Sequence, residues 1–398
     1  MARKHSDGAD YTSQIAELVA SAKDLRLGPT KVGVLEEAVR LADAHNDIDL
    51  GFEVRLDLIN AATFGGAPEV SLVAFAWCLA QSDKEPGRFD TTRLLWMYKW
   101  VLDVVADYPQ FGREQIEAMM ADMERRYAEA GAGMHPVHQT ARELHRLLGD
   151  LTEAAEAHER TMQCSEDPLS NCRACEQHAQ VKFHLDSGRT DLALRTAEPL
   201  LAGRMRCAEV PHVTYSYLLV PLVLDGQVKQ AADYHRKGLQ LIGMNPKFLS
   251  QAARHIFFLA FTGNLPAAAK LFERHLPNAG ATTCPAWRFD FARTAMFLFD
   301  LLAEAQEAPP APPSAWAAAM SWFTGEKAKK KPLHIRFPAS YALPDGVDRT
   351  DPAAVRDHFA AEARELARAF DARSGNDRFA RQLDELPGLK ERIVPFAV

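Results

Sequence analysis

LLGDLTEAA (147–155), DSGRTDLAL (186–194), LDGQVKQAA (224–232) and TGNLPAAAK (262–270) repeat one pattern. Each carries a glycine, at Gly149, Gly188, Gly226 or Gly263, followed five residues later by Ala154, Ala193, Ala231 or Ala268. The glycines stand 39, 38 and 37 residues apart. A glycine at the end of a helical run supplies the turn that stops it. Alanine is small where two backbones approach closely, and it has the best helix propensity. The pattern therefore predicts helix, turn and helix, copied along the chain as hairpins 135–163, 173–203, 209–242 and 247–276. Such hairpins bury their apolar faces against neighbouring copies. The expected fold is all-α, an α-solenoid of stacked helical hairpins with a small C-terminal appendage.

Five segments follow from this reading. Residues 1–28 form a lead-in with one short helix, YTSQIAELVASAKDL. Residues 29–134 read as irregular helical hairpins, with Gly65-Gly66 ending one helix. The regular array runs over 135–305 and closes with the aromatic helix PAWRFDFARTAMFLFDLLAEAQ. Residues 306–332 form a linker: APPAPPSA (308–315) favours an extended spacer, a short helix SAWAAAMSWFTG follows, then the basic run Lys327–Lys331. Residues 333–398 form a C-terminal helical appendage, with one brief strand or extended segment in PLHIRFPASYALPDG and two helices broken at Ser374-Gly375-Asn376.

With 398 residues, the chain exceeds one ordinary core. A net charge of −7 argues against nucleic acid as a general partner. MARKHSDGADYTSQ lacks the apolar core of a secretory signal, and VSLVAFAWCLA (70–80) is too short to span a membrane. The expectation is a cytoplasmic, bacterial protein with no membrane partner; oligomeric state is left open. Phosphate-binding glycine loops and a G-x-S-x-G nucleophile motif are absent.

At the glycine-to-alanine spacing, the chain resembles the tetratricopeptide-repeat superfamily over 135–276, more loosely over 30–131. His, Val and Leu stand where that superfamily places large aromatics, and its closing proline is irregular here. VAFAWCLAQSDKEPGRFD, QIEAMMADMERRYAEAG, CRACE and RCAEVPH are similar to stretches of large bacterial repeat proteins with no assigned activity. The resemblance implies a concave groove, lined by the first helix of each hairpin, that holds a peptide or partner helix. Counting from each turn glycine, the partner-binding positions would be Gln139, Glu143 and Arg146, then His178, Lys182 and Asp186, then Ser216 and Val220, then Phe257 and Phe261. The early repeats would present charge and the later ones apolar surface.

Cys164, Cys172, Cys175 and Cys207 follow the spacing C-x7-C-x2-C-x31-C. In the hairpin register, all four fall where one hairpin hands over to the next. A Cys-x2-Cys pair entering a helix suits half of a tetrahedral zinc site, and the helix N-terminus favours thiolate. His212 is an alternative fourth ligand to Cys164, and His178 a weaker one. Three chemistries fit: a structural zinc clasp, inert core thiols, or a reversible disulfide joining Cys172 to Cys175 or either to Cys207.

His145 and His184 share one repeat position, and His158 and His235 another, which favours packing between helices over catalysis. Trp96, Tyr98 and Trp100 fit a buried hairpin interface or a ligand-stacking surface. The expected function is a non-enzymatic scaffold that binds a protein or peptide, stiffened by zinc. The alternative is a redox- or metal-responsive regulator gated by the cysteines. A third reading is an enzyme site near the appendage, using His334, Arg336 and Asp345.

Overall fold

The computed structural model describes residues 6–307, 335–339 and 341–398. The proline-rich stretch 308–315, the helix expected over 314–325, Lys327–Lys331 and His334 lie outside the described residues. Among the described residues the protein is all-α, without a strand, and of the strand or extended segment expected in 332–346 the described part is irregular, non-helical backbone. Ile335, Phe337 and Tyr341 instead lie irregularly against the main core, where Tyr341 meets Phe359 at 5.8 Å. Prolines at 338 and 344 remove the donors a ladder would need.

The lead-in and irregular region comprise α1 (Ser6–Asp24), α2 (Pro29–Ala44), α3 (Ile48–Gly65), α4 (Pro68–Lys84), α5 (Thr92–Ala106) and α6 (Arg113–Glu129). Four pairs follow: α7 (His135–Leu148) with α8 (Leu151–Gln163), α9 (Arg173–Asp186) with α10 (Thr190–Leu201), α11 (His212–Leu224) with α12 (Val228–Ile242), and α13 (Leu249–Phe261) with α14 (Leu265–Ala281). A short 3-10 turn, Pro246–Phe248, precedes α13. Then come α15 (Pro285–Glu307), α16 (Pro352–Ser374), α17 (Arg378–Asp384) and α18 (Leu386–Lys390).

The repeated glycine and alanine do what their chemistry requires. Gly149, Gly188, Gly226 and Gly263 all have positive φ, between 71° and 89°. Ala154, Ala193, Ala231 and Ala268 are each 0% exposed, pressed between the two helices of their pair. The first helices touch in series, α5 to α7, α9, α11, α13 and α15, and form a continuous inner row. The second helices lie outside it. Sequential pairing of this kind is consistent with stacked hairpins.

Two sets of contacts bring distant parts of the chain together. The end of α3 meets the 3-10 turn: Asn245 Nδ2 donates to Phe64 O at 3.2 Å, and the Lys247 ammonium lies 4.0 Å from the Phe64 ring centroid. Gly66 permits this approach, because a Cβ there would come within 2.8 Å of Pro246 and 2.9 Å of the Lys247 backbone nitrogen. The C-terminal segment supplies donors to carbonyls at three inner-helix ends. Arg373 reaches Ala106 O (3.2 Å), Asn376 reaches Leu148 O (2.7 Å), and Arg378 reaches Leu147 O (2.6 Å). Backbone N–H groups of Val394 and Phe396 donate to Phe261 O and Thr262 O. Its apolar side packs through α16 on α15, with Phe359 fully buried among Phe272, Phe291 and Phe299.

Replacing Gly66 with Ala combines a left-handed backbone cost with a backbone clash, whereas a Cβ at Gly188 meets nothing within 4 Å. Urea denaturation should show Gly66→Ala losing about 3 kcal/mol and Gly188→Ala only about 1 kcal/mol. Equal losses would mean that the α3 contact contributes nothing.

Candidate functional site

The inner row, the α3–α4 corner and the α17–α18 segment line a half-open cavity of about 1030 Å³. Its position follows from helix periodicity. On α5, Trp96, Lys99, Trp100 and Asp103 fall at spacings of three and four on one stripe of an otherwise apolar helix, and Asp107 at its C-terminal cap continues it. Gln251, Arg254 and Phe257 do the same on α13, and Trp287, Asp290 and Arg293 on α15.

Nine of the ten groove positions lie on this lining; Phe261 does not, being fully buried behind Phe257 at a ring distance of 6.1 Å. Several are engaged with other protein groups. Gln139 donates to Glu176 (2.9 Å) and accepts from the Asn171 amide (2.9 Å). Glu143 pairs with Arg146 and Lys182, and Arg146 extends to Asp186 at 2.5 Å. Burial alone would raise the Glu143 carboxyl, but Arg146 and Lys182 outweigh it and hold the group well below the usual range. His178 Nδ1 lies 3.0 Å from Thr214 Oγ1, and burial beside Lys182 keeps the ring neutral. Ser216 donates to Val213 O, Val220 is half-buried, and Phe257 stacks on Phe297 at 4.3 Å.

The later end of the groove is not simply apolar. Arg254 lies with its guanidinium 3.9 Å from the Tyr217 ring centroid, and Arg293 donates to Gln382 O at 3.0 Å. Among the described residues neither makes an ion pair within 4 Å, although Asp290 acts electrostatically on both. Buried Arg254 Nε and Gln251 Oε1 have no hydrogen-bond partner. Across the cavity, burial pushes Asp103 up to about 7, with repulsion from Glu143 adding to it. Burial likewise lifts Asp107 to about 7, reinforced by Asp103 and Asp290. The accessible face of Asp103 belongs to the cavity lining, so water there tempers its shift. Lys99 lies 3.7 Å from the Trp96 ring centroid, donates to Leu169 O, and is lowered to about 8 by burial. These residues were missed in the sequence because their helices read as core. The available signal was the polar stripe interrupting each apolar run.

Cys172, Cys175 and Cys207 come together at the same wall, their Sγ atoms all within 4.8 Å of one another. Cys175 and Cys207 Sγ atoms are 3.3 Å apart. Cys172 caps α9, its Sγ accepting from the Cys175 amide at 3.5 Å. The three are clustered in a way that can hold a metal. Cys164 is outside this group, because it ends α8 in the outer layer whereas the others begin α9 or precede α11 in the inner row. His212 is also outside it; its ring packs edge-on against Phe248 at 5.2 Å. Arg336 binds Glu273 at 2.8 Å, and neither it nor Asp345 lines the cavity.

The repeat-position histidines pack between helices: His158 against Phe183 and His184, and His235 against His255 and Phe258. Trp96 and Trp100 line the cavity edge-to-face at 6.4 Å, whereas Tyr98 is buried and donates to Asp122. No family model matches the chain, and a search of curated proteins finds no similar sequence. Among the described residues, no helix is long and apolar enough to cross a membrane.

Removing Glu143 leaves Arg146 and Lys182 short of a buried counter-charge. Glu143→Gln should cost on the order of 2–4 kcal/mol in urea denaturation at pH 7. The Glu143 carboxyl is depressed in the folded state, so its stabilisation is present above the unfolded value near ~4.3 and is lost as pH falls through the folded value. Stability below pH ~4.3 should therefore fall less steeply in the variant. An unchanged acid slope would dismiss this role.

Proposed function

We propose that this protein is a non-enzymatic, tetratricopeptide-like α-solenoid that binds a short peptide, or the end of a protein partner, in its central cavity, with zinc at the cysteine wall. The observation that carries this reading is one half-open cavity whose lining holds both carboxylates and guanidiniums that, among the described residues, make no ion pair within 4 Å. Asp103 on α5 and Asp107 at its C-terminal cap offer acceptors for an ammonium group. Arg254 on α13 and Arg293 on α15 offer donors for a carboxylate. A peptide with free ends carries both groups. Trp96, Trp100, Tyr217 and Trp287 supply apolar faces between them. The volume suits a ligand of a few residues rather than a folded domain. Glu143, Arg146, Lys182 and Asp186 then serve as the frame that shapes the site.

A panel of tetrapeptides with free or blocked ends, followed by tryptophan fluorescence and calorimetry, tests this directly. Amidating the carboxyl end, or the double change Arg254→Met and Arg293→Met with helix content retained, should weaken binding at least tenfold, about 1.4 kcal/mol. Binding of the free amine should strengthen from pH 6 to pH 8, because burial raises Asp107 to about 7. Acetylating the amine should abolish that dependence. Affinity indifferent to both ends, or no binding by any peptide, would remove the reading.

A further inference from the structure

Cys172, Cys175 and Cys207 supply three soft donors, and among the described residues no fourth His, Cys, Asp or Glu lies within 4.8 Å of all of them. A tetrahedron with zinc–sulfur bonds of about 2.3 Å has edges of about 3.8 Å. The 3.3 Å separation of Cys175 and Cys207, and the 4.8 Å limit on the group, bracket that edge. All three cysteines also line the cavity. Closed structural zinc sites take four protein ligands, whereas sites with three leave one position for an outside group.

We propose that these cysteines form a three-thiolate zinc site open to the cavity, whose fourth ligand is the thiolate of the bound peptide. This deepens the peptide-binding reading and rests on it. Two observations besides the cluster, and one principle, support it. Cys172 and Cys175 sit in the first turn of the fourteen-residue α9, where Cys172 Sγ already meets the Cys175 amide at 3.5 Å. Buried Lys99 acts electrostatically on both and offsets the net negative charge of three thiolates on a divalent ion. Zinc's preference for sulfur makes a thiol the best-matched fourth donor. On binding, the peptide thiol loses its proton to solvent, its sulfur bonds to zinc, and the zinc-bound water leaves. No oxidant or reductant enters. The peptide is thus a short thiol-bearing one with free termini.

Cobalt(II) substitution provides the test, using full-length protein purified under reducing conditions. One equivalent of cobalt should bind with thiolate-to-metal absorption, and Cys175→Ser with retained helix content should lower uptake at least tenfold. Cys164→Ser and His212→Ala should bind cobalt as the parent does. Adding glutathione, a thiol tripeptide with free ends, should intensify and shift the bands in a complex that survives gel filtration. S-methylglutathione should leave the spectrum unchanged and bind at least tenfold more weakly.

Cobalt loss in Cys164→Ser or His212→Ala would reveal a closed site and overturn the proposal. So would failure of reduced protein to take up metal, or stripping of the metal by glutathione. Equal binding of both tripeptides without spectral change would also overturn it, leaving the peptide cavity intact. A spectral response to 2-mercaptoethanol, with no binding of any peptide, would uphold the open metal position and defeat the peptide reading instead.

Discussion

Arg146 is bound at once by Glu143 on its own helix and Asp186 on the next, while Lys182 returns to Glu143. This network joins α7 to α9 on the face they turn toward the cavity. Replacing such ions with well-packed apolar residues often leaves a protein as stable or more so, because each charge must be desolvated. What the network supplies is register. One carboxylate between two cations, and one guanidinium between two carboxylates, satisfy each other in one relative position of the helices. Arg378 adds a third element, lying 3.5 Å from Asp186 while donating to the Leu147 carbonyl. The same charges therefore orient two repeats and the C-terminal segment around them.

The C-terminal segment then changes what ordinary residues can do. Helices end in carbonyls without intrahelical partners. Arg373, Asn376, Arg378 and the 394–396 backbone cover those of α5, α7 and α13. The appendage is thus held by helix-end chemistry as well as by the Phe359 cluster, and it forms one wall of the cavity. Beside that wall, burial raises the half-buried Asp107 carboxyl, while the exposed face of Asp103 keeps water.

The repeat was legible because a single backbone requirement, a left-handed turn followed by a close helix crossing, leaves glycine and alanine at fixed intervals. That reading located the first helices of the pairs, and nine of the ten residues counted from the glycines line the cavity. It could not show the Asn245–Phe64 and Asn376–Leu148 contacts, which join residues with no shared pattern. Nor could it separate framework from free charge. Glu143 and Asp103 look alike in a sequence, and only the neighbours across the helix row make one an ion-pair centre and the other a raised carboxyl.

The cysteines show how far the layer rule extends. Four sulfurs sit at successive hand-over points, and proximity in sequence would pair Cys164 with Cys172 before Cys207. Layer, not sequence distance, decides. Cys164 leaves the outer helix α8, whereas Cys172, Cys175 and Cys207 enter adjacent inner helices, so a 31-residue gap closes while a seven-residue gap does not. The same rule puts Lys99, Asp103, Arg254 and Arg293 on one cavity, since each lies on a first helix or its irregular counterpart. In a protein built this way, converging chemistry is drawn from the inner row. The outer helices supply the alanine-tight backing that keeps the row in register.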